Sequence, residues 1–256
     1  MGKERHNSFA STGGLAESRG RIYAFLSSIY LQVPTVDFVE SSLKTDYRSM
    51  FASVRRAATS STALMKIREG LRVIEDSVKR SGTKPREKIC EELAVSHTRL
   101  FRGVKPEYSP PPPYESVYRE GRVMGESTLA VQQKYRQAHA KPAGHLDTEP
   151  PDSIGLELGF MHFLCEKEAY AWRGNDNTAV SRFLNLEKEF LKGHILEWIP
   201  RFCKEARKVC KEIGQDADFY LGIIEITDGF IKIDNSIVSY LLEILRGSKD
   251  ASPPSA

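Results

Sequence analysis

Cysteine is scarce and scattered in this chain. Cys90, Cys165, Cys203 and Cys210 are the four cysteines of 256 residues. That excludes a dense disulfide framework and favours reduced thiols in a cytoplasmic protein. No pair of them has the tight spacing of a zinc site, and His162 with Cys165, three residues on, is an ordinary helix-face pair, so no metal is expected. No apolar run reaches the roughly 18 residues of a membrane span. The opening "MGKERHNSFASTGG" has no apolar core of a secretory signal, and His6 breaks the myristoylation pattern. Charge of one sign is also lacking. Lys and Arg total 37 against 34 Asp and Glu, a net of +3. Such balance excludes a dedicated nucleic-acid binder, which needs a clustered basic stripe.

The motifs of common catalysts are missing as well. There is no G-x-x-x-x-G-K-S/T loop, no strand-linked G-x-G-x-x-G, no G-x-S-x-G elbow and no H-E-x-x-H. The pairs Glu91–Glu92 and Glu166–Glu168 read as solvated helix faces. His139 and His145 read as solvated loop residues. No enzymatic activity and no tightly bound cofactor are expected.

What is present is helical periodicity. The composition is 40% hydrophobic and 28% charged, enough for one core. Ile22, Phe25, Leu26 and Ile29 recur at helical spacing within 15–31, ahead of Pro34. Two short helices are expected over 37–58. Leu64, Ile67, Leu71, Ile74 and Val78 form a stripe over 60–80, and Pro85 suits the first turn of the next helix, to Phe101. Segment 126–138 reads as helix capped near Ser127. A long helix follows Pro151, with Asp152 or Ser153 as its N-cap. Thr178 is expected to cap another, "HILEWIPRF" leads into a helix to Ile213, and 216–245 forms the last. Strand alternation and repeats are absent. The fold class is all-α, a single-domain bundle of roughly ten helices over 15–246, with flexible tails at 1–14 and 247–256.

One segment breaks the pattern. "SPPPPYESVYREG" places Pro110–Pro113 before Tyr114 and Glu115. Each proline fixes φ and removes a donor, so the run is stiff and extended. Pro111–Tyr114 also matches P-P-x-Y, a ligand of polyproline-binding WW domains. A helical adaptor presenting that motif is therefore the alternative reading.

Five stretches in order, "EELAVSHTRLF", "PPPYESVY", "GESTLAVQQKYRQ", "PPDSIGLELGFMHFL" and "HILEWIPRF", resemble the TorD/DmsD/NarJ family of cytoplasmic redox-enzyme maturation chaperones. The resemblance implies a TorD-like helical domain without catalysis. It implies binding of the twin-arginine leader of a molybdopterin oxidoreductase precursor, assistance to cofactor insertion and assembly, and proofreading before export, with the Tat translocation machinery as a further partner. The two long loops allow helix exchange between protomers, so a monomer and a domain-swapped dimer are both open. The family's aromatic-x-x-Leu-Phe segment falls on His97, Leu100 and Phe101, its proline–aromatic pair on Pro113 and Tyr114, and its Asp-His pair on Asp152 and Ser153. His97 replaces an aromatic and Ser153 a histidine.

A twin-arginine leader needs carboxylates for its guanidinium groups and an apolar groove for the rest. Asp152, Glu115 and Glu157 are the expected acids, Glu157 having Arg99 or Arg119 as another partner. Leu100, Phe101, Pro113, Tyr114 and Tyr118 are the expected groove, with His97 and Ser153 beside it, although Leu100 and Phe101 end a helix and read as core more readily than as groove. Tyr114 and Glu115 are expected to be the exposed recognition residues.

Overall fold

The predicted periodicity becomes helix through most of the described residues. The computed structural model describes the backbone of residues 2–103, 107–141 and 149–250, and side chains within 12–247 of these; His145 lies outside the described residues. The helices are α1 (Gly2–Leu31), α2 (Val36–Lys44), α3 (Tyr47–Met50), α4 (Ala52–Ala57), α5 (Ser61–Ser81), α6 (Arg86–Phe101), α7 (Glu115–Glu120), α8 (Glu126–Gln137), α9 (Ile154–Arg173), α10 (Asn177–Phe190), α11 (Leu196–Ile213) and α12 (Asp218–Asp250). The all-α class holds. Among the described residues, extended pairing is confined to one bridge between Tyr114 and Ser153.

Local chemistry sets the helix starts. Thr35, Asp46 and Ser60 accept amides of the first turns of α2, α3 and α5. At α10 the cap is Asp176, whose carboxylate takes the amides of Thr178 and Ala179, not Thr178 as the sequence suggested. At α8 the cap comes from outside the helix. Glu120 accepts the Glu126 and Ser127 amides at 2.8 Å each, and Ser127 donates its hydroxyl instead of capping. These bonds hold the Glu120 carboxyl down at about 2. The expected pair of helices over 37–58 is three, because Asp46 starts a separate short turn.

Two long-range helix pairs carry the core. Gly20 on α1 meets His162 and Cys165 of α9, and Ser27 donates to the Gly155 carbonyl at 2.7 Å. On the other side α5 crosses α12 at small residues. A Cβ on Gly70 would lie 2.5 Å from the Gly222 carbonyl oxygen, and one on Gly229 would lie 2.6 Å from that of Ala63. Only glycine allows such backbone approach.

Between these pairs lies a buried ionic cluster. Arg19 donates through Nε and Nη2 to Asp234, through Nη1 to Glu168 at 2.6 Å, and through Nη2 to Glu187. Tyr23 adds a bond to Asp234 at 2.7 Å and Trp172 one to Glu168 at 2.8 Å. All four charged side chains are 0% exposed. Glu168 is therefore not the solvated residue expected from Glu166–Glu168. Burial raises both Glu187 and Glu168 against the lowering pull of Arg19, which fits three carboxylates sharing one guanidinium.

Candidate functional site

The proline run and the start of α9 meet at the Tyr114–Ser153 bridge. Glu115 donates its amide to the Asp152 carbonyl, and Ile154 donates its amide to the Pro113 carbonyl, both at 2.9 Å. Asp152 Oδ2 then accepts the Ser116 amide at 2.8 Å and satisfies the first turn of α7 from across the loop. Ser153 is the N-cap of α9, accepting the Leu156 amide. The rest of the proline segment is equally tied. Tyr118 donates its hydroxyl to the Pro111 carbonyl at 3.1 Å, and Pro112 packs over Gly103, whose φ of +60° is a left-handed conformation that favours glycine. Pro110 and Pro113 are buried. A free polyproline ligand needs both faces and its carbonyls open, so the segment does not have the form that the adaptor reading requires.

Three carboxylates converge behind this clasp. Glu115 (α7), Asp152 (the loop before α9) and Glu157 (α9) are each 0% exposed. Glu115 Oε1 takes Arg119 Nη1 at 2.5 Å, and Oε2 takes Nδ1 of His194 at 2.8 Å, which fixes a hydrogen on that nitrogen. His194 belongs to a π turn, Leu191–Ile195, that joins α10 to α11 and turns the imidazole inward to stack on Phe190. Glu157 Oε2 accepts the indole N–H of Trp198 at 3.0 Å. Burial first, then the charges of Glu115 and Asp152, push the Glu157 carboxyl well above the usual carboxylate range. Its other oxygen, Oε1, is buried without a hydrogen-bond partner among the described residues. Its expected partners Arg99 and Arg119 lie elsewhere. Arg99 donates to the Tyr108 carbonyl and pairs with Glu212, and Arg119 pairs with Glu115.

The expected groove divides in two. Leu100 and Phe101 are 0% and 2% exposed and belong to the core, where Phe101 packs edge-on against Tyr30, His97 and Tyr220. His97 is an interior imidazole: Nε2 lies 3.1 Å from the Ile29 carbonyl, and burial lowers its pKa to about 4, so it packs neutral in an aromatic cluster. Tyr118 is buried against Trp198 and Phe202. Tyr114 remains half-buried, its hydroxyl raised by burial and by nearby Glu149. The expectation that Glu115 is exposed is overturned; an alternating strand bridge and the following helix turn its side chain inward. His139 is exposed.

Sequence reasoning missed the roles of His194 and Trp198, and named Arg119 as a partner of Glu157 where the structure gives it to Glu115. The π turn is what places the histidine, and no apolar spacing encodes that extra residue. The spacing of Glu115 and Arg119, four apart on one helix, did offer a signal. For a metal, Cys165, Glu168 and Glu187 have ligand atoms within 4.8 Å of one another, but Arg19 already supplies the cation to both glutamates.

Comparison with known proteins closes the description. Residues 58–204 match the model of the nitrate reductase delta subunit family. Chaperone protein TorD of a classical strain of Vibrio cholerae serotype O1 is 22% identical over 190 residues, covering 74% of this chain and 80% of the relative. The TorD chaperone of an El Tor strain is 23% identical over the same length. The family match takes in α5 to α10, the proline clasp and the buried carboxylates. The chain belongs to the nitrate reductase delta subunit family, the TorD/DmsD/NarJ group that its sequence resembles.

Proposed function

We propose that this protein is a cytoplasmic, non-enzymatic maturation chaperone that binds the N-terminal twin-arginine leader of a molybdopterin oxidoreductase precursor, assists its cofactor insertion and assembly, and proofreads it before the Tat machinery. Family membership and the named TorD relatives support the chaperone class. The observation that carries the leader site is the Tyr114–Ser153 bridge. It draws a half-buried aromatic, a stiff proline wall and the carboxylates of Glu115 and Asp152 into one place. A leader presents two guanidinium groups and then apolar residues. Carboxylates engage guanidinium in a planar, bidentate geometry that an ammonium cannot match. Tyr114 and the exposed Pro111 supply rigid contact area at little entropic cost.

Calorimetric titration with a synthetic twin-arginine peptide tests the site. Asp152→Asn and Tyr114→Ala weaken binding while helical content and melting stay intact; unchanged affinity in both overturns the assignment. Recovery of a molybdoenzyme precursor with the tagged protein, identified by mass spectrometry, tests the client class. Its absence from cells that express such a precursor counts against the chaperone reading.

A further inference from the structure

The carboxylate cluster already holds a guanidinium. Arg119 Nη1 donates to Glu115 Oε1 at 2.5 Å and to the Gly193 carbonyl, in the π turn, at 3.0 Å. Its side chain is 39% exposed, whereas Glu115 is 0% exposed. The guanidinium therefore stands between a buried carboxylate and solvent. Behind it the chain leaves acceptor capacity unused. Asp152 Oδ1 and Ser116 Oγ are buried and have no hydrogen-bond partner among the described residues. An uncompensated buried carboxylate is costly, so a site built to take an external cation needs an internal one while it is empty.

We propose that Arg119 is that resident cation: it occupies the Glu115 end of the leader site and is displaced into solvent by an arginine side chain of the client, an inference that rests on the leader-binding reading above. The exchange is like for like. The incoming guanidinium inherits Glu115 and gains Asp152 Oδ1, which Arg119 does not reach, while Arg119 needs only to swing off the exposed edge of α7. The exchange also raises the affinity a ligand needs in order to bind. An ammonium competes against a guanidinium already in place and can replace its geometry only as a point charge. Arg119 thus lowers the affinity of every ligand by the same factor, and a lysine-bearing one, weaker to begin with, ends weaker still.

Two measurements test this on the full chain. Phenylglyoxal labelling of Arg119, read by mass spectrometry, rises when a synthetic peptide with an Arg-Arg pair is added and does not rise with its Lys-Lys counterpart. Calorimetry shows Arg119→Gln binding the Arg-Arg peptide about twofold to fivefold more tightly than wild type, the size expected from losing a partly exposed ion pair as competitor. The same variant tightens the Lys-Lys peptide by a similar factor, since the competitor acts on both ligands alike. If Asp152→Asn weakens binding but Arg119 labelling is unmoved by bound peptide, the displacement is wrong and the leader site stands. If Asp152→Asn, Glu115→Gln and Tyr114→Ala all leave the affinity unchanged, the leader site itself falls and the displacement with it. The labelling uses wild-type protein, so it decides the matter even if Arg119→Gln does not fold.

Discussion

Asp152 holds the first turn of α7 from 36 residues away, its Oδ2 accepting the Ser116 amide at 2.8 Å. The same residue carries an unpaired Oδ1 and an acceptor carbonyl for Glu115. A structural task and a free acceptor share one side chain, and chemistry can separate them. Asp152→Ala removes the cap and is expected to cost about 1–3 kcal/mol in urea unfolding. Asp152→Asn keeps an oxygen for Ser116 and is expected to fall within about 1 kcal/mol of wild type. Equal losses in both would show that charge, not the cap, supports the fold.

Glu157 gives a pH signature. Its folded pKa is raised by burial and by Glu115 and Asp152, so the native state retains a proton that the unfolded chain releases above the ordinary carboxylate value. The stability it contributes is present at acid pH and is lost as pH rises toward the folded pKa. Glu157→Gln mimics the protonated form and can still accept from Trp198. Its melting temperature should match wild type near pH 4.5 and exceed it increasingly toward pH 8. A gap constant with pH would mean that Glu157 is ionised in the fold.

His97 acts in the opposite direction. Its folded pKa of about 4, lowered by burial and by Arg102, lies below the unfolded value of 6.5. The unfolded chain therefore binds the extra proton, and stability is lost as pH falls from 6.5 to 4. His97→Leu lacks this term. Wild-type stability relative to that variant should drop by roughly 3 kcal/mol over the window. A parallel acid response of the two proteins would contradict a neutral buried imidazole.

Arg19 is the heaviest single point in the core. Arg19→Met leaves Asp234, Glu168 and Glu187 buried without their cation, and is expected to lose about 3–5 kcal/mol or fail to fold. Glu187→Gln should be mild, within about 1 kcal/mol, because burial already disfavours the charged Glu187 and its replacement still accepts from Arg19. Chemical denaturation of both variants checks the contrast.

Helices were legible because burial on one face leaves a 3.6-residue trace, as in Ile67, Leu71 and Ile74 of α5, all buried. The family trace likewise led to the right neighbourhood, since Pro113, Tyr114, Asp152 and Ser153 do meet. Orientation was not legible. Glu115 faces inward because the bridge at Tyr114 fixes the phase of the backbone, and a strand partner 39 residues away in sequence leaves no local mark. Arg19 was also hidden. A single cation in an amphipathic helix looks like surface until three carboxylates from α9, α10 and α12 surround it.

The pairing of α1 with α9 and of α5 with α12 has a consequence for biogenesis. In most helical proteins neighbours in space are neighbours in sequence, and folding follows synthesis. Here the apolar face of α1 waits until Ile154–Arg173 has left the ribosome, and that of α5 waits until Asp218–Asp250 has done so. The growing polypeptide therefore carries α1 and α5 without their long-range partners until α9 and α12 have been made, and α5 is covered late. A protein of the class that shelters unfinished clients passes through the same exposed condition while it is being made.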